Sequence, residues 1–217
     1  MGRSMVSLRR STRALPPRAL LPALALLVLS VAVACAPTSP GSLPGDAGTA
    51  ALRVMTYNVL GAQADDRFFD EYAGWAARIT QLQPDVVVLQ EAQSADVFGL
   101  RLKLRGTYVR AVHTRWACDA KPDAEGVAIL MRADHTVEGA GGTNIGSSCA
   151  HPSMRRVLAW ADLTVDGEAV RVYGTHLSAG SGAATASRAA QIGAVRARLA
   201  TDIARGDRRI VLAGDMN

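Results

Sequence analysis

The sequence predicts an α/β fold built on mixed β-sheet. Three observations carry this. From residue 52 onward, short apolar runs alternate with segments of helical period, the pattern of strands covered by helices. One run, Asp85-Val86-Val87-Val88-Leu89, is apolar at four consecutive positions and fits a strand buried on both faces. Asp166-Gly167 joins two further runs as a tight turn, so at least one strand pair is antiparallel.

The elements follow in order. Leu52 to Leu60 alternates apolar and polar residues as a first strand. Tyr72, Trp75, Ala76, Ile79 and Leu82 recur at helical spacing across 70–82, and Pro84 closes that helix. The strand 85–89 runs directly into Gln90-Glu91, and a second helix is expected over Ala95–Leu104. Thr107–Val112 and Val127–Met131 are strand candidates, with His113 to Glu125 between them as a polar loop. Arg156–Val165 and Glu168–Thr175 form the predicted hairpin. Ala183–Ala204 reads as a helix whose apolar stripe includes Ala190, Ile192, Val195 and Leu199. Arg209–Leu212 is a last strand, expected to be buried, with Gly214 allowing a turn after it.

The charge divides by region. Five of the 24 basic residues, Arg3, Arg9, Arg10, Arg13 and Arg18, precede residue 36, whereas all 19 acidic residues follow it. The remainder is therefore neutral, and the overall basicity is no argument for a polyanionic partner. The arginines lead into an apolar run over 19–34, interrupted by Pro22 and Ser30, and then Cys35. A positive start, a short apolar core and small residues have the layout of an export signal, and the run is short for a span of about 20 residues. Two cleavage readings stay open. Ala32-Val33-Ala34 suits ordinary secretion, and Val33-Ala34-Cys35 resembles a lipoprotein box with Cys35 as the lipidated residue. The expected division is a signal over 1–35, a Pro-, Gly- and Ser-rich linker over 36–50, and a folded domain over 51–217. With Cys35 accounted for, Cys118 and Cys149 form an even pair that suits a disulfide in an oxidising compartment.

Several chemistries lack their signatures. Gly139 to Asn144 does not have dinucleotide-loop spacing, neither Ser178 nor Ser181 sits in G-x-S-x-G, and no Cys/His zinc pattern occurs. What does stand out is a set of polar residues at strand ends: Asn58, Glu91, His176, and Asp215 with Asn217. A sheet gathers such ends at one edge, where open α/β folds bind ligands. A carboxylate there suits a hard divalent cation such as Mg²⁺ (Mn²⁺ being the alternative). Asparagine amides donate to phosphate oxygens without adding charge, and histidine exchanges a proton near neutrality. The set fits metal-assisted attack of water on a phosphoester.

The ordered segments Met55-Thr56-Tyr57-Asn58-Val59, Leu89-Gln90-Glu91, Gly126-Val127-Ala128-Ile129-Leu130, Gly174-Thr175-His176-Leu177, Arg188-x-x-Gln191 and Ala213-Gly214-Asp215-Met216-Asn217 resemble the endonuclease/exonuclease/phosphatase family. That family includes deoxyribonuclease I, bacterial sphingomyelinases and inositol polyphosphate 5-phosphatases. The resemblance implies a four-layer α/β sandwich of two mixed β-sheets. It implies Glu91 as the principal metal ligand with Asn58 beside it, and phosphate contacts from Asn58, His176, Asn217 and Arg156, the last in competition with Arg155. His176 would contact the phosphate or assist the leaving group, Asp215 would orient the attacking water, and Asn217 would orient the phosphate. The family also carries a later strand pair and an Asp-His pair, both expected beyond Asn217. The expectation is an N-terminal part of such an enzyme, incomplete at the C-terminus and inactive alone. Its substrate would be a nucleic acid, a phospholipid or a small phosphoester, with membrane contact only through a lipid anchor and no obligate protein partner evident. The alternative is a non-catalytic binding lipoprotein on the same fold.

Overall fold

A computed structural model describes residues 52–60, 70–116, 124–146, 156–206 and 208–217. Cys35, Cys118 and Cys149 lie outside them, as do Arg155 and the signal and linker segments.

The element order is β1 (Val54–Asn58), α1 (Asp70–Leu82), β2 (Val86–Ala92), α2 (Ser94–Lys103), β3 (Tyr108–Arg115), β4 (Gly126–Arg132), β5 (Thr136–Asn144), β6 (Val157–Val165), β7 (Glu168–His176), α3 (Ala183–Arg205) and β8 (Arg209–Asp215). Two four-stranded sheets result, ordered β1-β2-β4-β3 and β5-β6-β7-β8. Both are mixed: β1 runs parallel to β2 and β7 parallel to β8, while the other neighbours are antiparallel. No helix among the described residues is long and apolar enough to cross a membrane.

The period-2 geometry of a strand explains the layering. On β2, Val87 and Leu89 face α1 and α2, where they pack with Trp75, Ile79, Val97 and Leu100. Val86 and Val88 point the other way, into a core shared with Val127, Ile129 and Met131 of β4 and Val157, Ala159, Ala161 and Val172 of the second sheet. The outer face of that second sheet is covered by α3 through Leu158, Tyr173 and Val195. The four layers expected from the family resemblance are thus helices, sheet, sheet and helix. At Gly174 the two sheets come close enough that a Cβ would lie 2.7 Å from Val88 Cγ1 and 2.9 Å from Val127 Cγ1.

Four expectations are corrected. The Gly-rich run after Val137 forms strand β5, which its composition does not suggest. Glycine lowers strand propensity, but here it makes room: a Cβ on Gly141 would lie 2.9 Å from the Trp160 ring, and one on Gly142 would overlap Thr114. β3 continues through His113 to Arg115, because β4 pairs with it along that whole length. On α3 the buried positions are Ser187, Gln191, Val195 and Asp202, while Ala190 and Ile192 are exposed. Polar partners, not an apolar stripe, fasten much of this helix. β8 is the outer strand of its sheet and only half-buried, and Gly214 lies within it opposite Thr175, where the neighbouring backbone leaves no room for a Cβ.

Candidate active site

The parallel pairs β1–β2 and β7–β8 end at the same pole. Asn58 is opposite Gln90 in the first pair, and His176 is opposite Asp215 in the second. Each polar residue thereby sits at a carboxyl end of a strand, and close packing of the sheets brings the two pairs together.

Glu91 is delivered by a backbone irregularity. The β2–β4 register shifts between Gln90 and Ala92, and Glu91 adopts φ 56°. A left-handed glutamate costs about 1–3 kcal/mol and persists only where its surroundings determine it. Here Gln90 is buried on one side: its Nε2 donates to the Val88 carbonyl at 2.9 Å, and Thr56 Oγ1 donates to its Oε1 at 3.3 Å. On the other side the carbonyl of Ala92 accepts from His113 Nε2 at 3.0 Å. The bulge turns the Glu91 carboxylate out of the sheet's alternation and toward Asn58.

Asn58 Nδ2 donates to Glu91 Oε1 at 2.9 Å and to Asp215 Oδ2 at 3.3 Å, so one amide bridges two carboxylates. Its Oδ1 accepts from Leu60 N–H at 3.0 Å, which fixes which way the amide faces. His176 stands over the same pair, with Nδ1 3.7 Å from Glu91 Oε1 and Nε2 3.8 Å from Asp215 Oδ2. Arg156, just ahead of β6 and 6 % exposed, places Nη1 3.4 Å from His176 Nδ1. A guanidinium has only donors, so this contact needs Nδ1 as acceptor and leaves the imidazole proton on Nε2, toward Asp215.

The electrostatics follow from burial. Desolvation pushes the His176 pKa below its usual value, and the neighbouring Arg156 pushes the same way against the pull of Asp215 and Glu91. Desolvation also lowers Arg156, against attraction from Glu91, Glu125 and Asp215. Burial by itself would raise Asp215. The Asn217 N–H, the Asn58 amide, His176 and Arg156 outweigh it and hold this carboxyl below the usual carboxylate range.

Asn217 is the exception among the expected residues. Its Nδ2 donates to the Leu177 carbonyl at 2.9 Å and its N–H to Asp215 Oδ1 at 3.0 Å. It closes a turn that holds β8 against the end of β7, and its amide does not join the Asn58–Glu91–Asp215 cluster. His135 belongs to the other pole, 3.4 Å from Asp85 Oδ1.

The donor set fits a divalent cation of the Mg²⁺ type. Among the described residues no three His, Cys, Asp or Glu converge as a metal cage. Two carboxylates, Glu91 and Asp215, do converge, and both accept from the Asn58 amide. Oxygen donors in small number suit Mg²⁺, which keeps much of its water, and not zinc.

The sequence profile of the endonuclease/exonuclease/phosphatase family matches residues 55–217. The chain belongs to that family. Solved structures agree in fold. Truncated Caenorhabditis elegans TDP2 superposes with a TM-score of 0.63 at 23% identity, over 76% of this chain and 62% of that one. D. rerio TDP2 complexed with a single-strand DNA product gives 0.62 at 23%, over 76% and 60%. The Bacteroides thetaiotaomicron mannosyl-6-phosphatase gives 0.65 at 20%, over 77% and 66%. This family member therefore spans less than two thirds of each of these chains. A search of curated proteins finds no match.

Some site residues carry no role in the sequence reading. Arg188 and Gln191 belong to a quoted motif, and the structure shows what they do. Gln191 receives Ser178 N–H on Oε1 at 2.9 Å and donates to Ser178 Oγ at 2.7 Å, while Arg188 donates to the carbonyls of Ser178 and Gly180. Together they pin the segment that follows His176. Trp116, beside Arg156 and His176, has no signal in its neighbourhood of sequence and is found only through the fold.

Proposed function

We propose that this protein is an exported, divalent-metal-dependent hydrolase of phosphoesters. The observation that carries the reading is the meeting of Glu91, Asn58, His176 and Asp215 at one pole of a family fold matched over 55–217. Glu91 would hold Mg²⁺, with Mn²⁺ as alternative, and Asn58 would stand next to it. When bound, the cation would supply Lewis-acid stabilisation of charge on the phosphoryl oxygens. The residues of the chain supply the rest. Arg156 and the Nε2–H of His176 donate to phosphate oxygens, and Asn58 holds its amide between substrate and carboxylates. Asp215, kept ionised, orients the attacking water or accepts its proton. Asn217 acts by fixing the Asp215 turn.

The substrate class is a phosphoester, with nucleic acid, phospholipid and small phosphoester as the candidates. A panel of the three with Mg²⁺, repeated with EDTA, tests the reading. Turnover lost with EDTA and with Glu91→Gln supports it. A wild-type protein that binds phosphoesters and never turns them over would favour a binding lipoprotein on the same fold. Residues 36–217 by themselves should turn over about 10²–10⁴ times more slowly than a protein that also carries the late Asp-His pair implied by the family resemblance, which would take over the proton that Asp215 otherwise accepts alone. Equal rates would remove that part of the proposal.

Export is proposed from the Arg-rich start, the apolar run over 19–34 and Val33-Ala34-Cys35. Mass spectrometry of the mature N-terminus decides between a lipidated Cys35 and ordinary secretion, and an intact Met1 would defeat both. A Cys118–Cys149 disulfide belongs to the same reading and would contribute about 2–4 kcal/mol. Labelling of unfolded, unreduced protein should find neither cysteine reactive.

A further inference from the structure

Trp116 follows directly on β3, and its backbone N–H donates to the Glu125 carbonyl at 2.8 Å, while its buried indole Nε1, among the described residues, has no hydrogen-bond partner. The ring covers the Arg156 guanidinium, with Cζ 4.4 Å from the ring centroid. The same ring meets His176 edge-on, at 6.4 Å between centroids and 62° between planes. Among the described residues, the Nε of Arg156 is buried and has no hydrogen-bond partner. An unmet donor on a buried cation is costly unless a ligand brings an acceptor.

The choice of an aromatic neighbour has a chemical consequence. A π face attracts a guanidinium while accepting none of its in-plane N–H groups. A carboxylate in the same place would take two of those donors and cancel the charge. Trp116 holds Arg156 and leaves it able to donate.

We propose that Trp116 is a positioning residue, whose indole face holds Arg156 with its Nε–H reserved for an oxygen of the substrate's phosphate. The proposal rests on the phosphoester reading above. It adds that anion affinity at this site depends on a residue that does not touch the anion. Without the indole, the guanidinium would swing toward Glu91, Asp215 or Glu125, the carboxylates whose charge it already feels.

The test uses the full chain with inorganic phosphate as probe, at saturating Mg²⁺, followed by ³¹P line broadening. Trp116→Leu should weaken phosphate binding about tenfold, and Trp116→Phe, which keeps a ring face, by no more than about threefold. The decisive comparison is a double-mutant cycle with Arg156→Gln. In that background Trp116→Leu should change affinity by less than about twofold. Uniform incorporation of 5-fluorotryptophan is a second measurement that preserves packing, since fluorine weakens the ring's negative face with little change of shape. Affinity should fall with Arg156 present and hold steady in the Arg156→Gln chain. Wild-type binding with equal losses in both backgrounds, or with none, overturns the positioning role and leaves the phosphoester reading intact. Absence of phosphate binding by the wild type overturns both.

Discussion

The two ends of β2 carry the same residue types and use them differently. At the start of the strand, Asp85 accepts the Arg53 N–H at 2.8 Å and meets Arg132 Nη1 at 3.0 Å and His135 Nε2 at 3.4 Å. At the other end, Glu91 and Asp215 meet His176 and an asparagine amide, with Arg156 behind the histidine. Both ends combine an arginine, a histidine and acid. The Asp85 group is closed: its carboxylate is 8 % exposed and its contacts come from the residue before β1, from β4 and from the turn after β4, so it ties elements together. The Glu91 group is open: distances from histidine to carboxylate approach 4 Å, an arginine donor is unmet, and the key carboxylate stands on a left-handed residue. Short, saturated polar contacts contribute stability. Long, unsaturated ones held in strained backbone are suited to a ligand that completes them.

This contrast is broken most directly at its open end. In an active form of the protein, Glu91→Gln or His176→Ala should reduce turnover by about 10²–10⁴, while the urea unfolding midpoint stays near wild type. A large loss of stability with activity per folded molecule preserved would exchange the roles of the two ends.

The closed end should respond in the opposite sense. Asp85→Ala leaves the Arg53 N–H without its acceptor and takes from Arg132 one of its two carboxylate partners, Asp134 remaining, and should destabilise by about 1–3 kcal/mol, read by urea denaturation. The kcat of the fraction that remains folded should be unchanged.

A third polar group sharpens the comparison through pH. Asp202 on α3 is 2 % exposed. Burial would raise its pKa, but the Tyr173 hydroxyl, Arg171 and Arg198 outweigh that and hold it at about 2. A depressed folded-state pKa gives stability that is fully present above the unfolded value of about 3.9 and is lost as pH falls through the folded one. Roughly 2 kcal/mol should disappear between about pH 4 and pH 2, and the loss should be absent in Asp202→Asn. An unchanged acid slope in that variant would place the acid sensitivity elsewhere.

The smallest effect concerns α3. Ile192 is 44 % exposed although its spacing suggests the core. Ile192→Ser should shift stability by no more than about 0.5 kcal/mol, against about 2 kcal/mol or more for Gln191→Ala, whose amide is buried against Ser178.

The sequence by itself determined the strands that are apolar and the residues at their ends. Burial leaves a local mark, so Val86 to Leu89 and the Asp166-Gly167 hairpin are legible one segment at a time. Asn58, Glu91, His176 and Asp215 are legible as polar residues at the ends of strands, although the bulge that turns Glu91 toward Asn58 is not. The tertiary structure decided what depends on a neighbour remote in sequence. β5 is a strand because Trp160 and Thr114 occupy the space its glycines leave. Gln191 and Asp202 are buried because Ser178, Tyr173 and Arg171 meet them there, a satisfaction that helical periodicity does not register. Asn217 stands apart from the cluster because the Leu177 carbonyl captures its amide. Trp116 joins the site because β3, running antiparallel to β4, ends beside the start of β6, and only the packing of one sheet on the other lays its ring over Arg156.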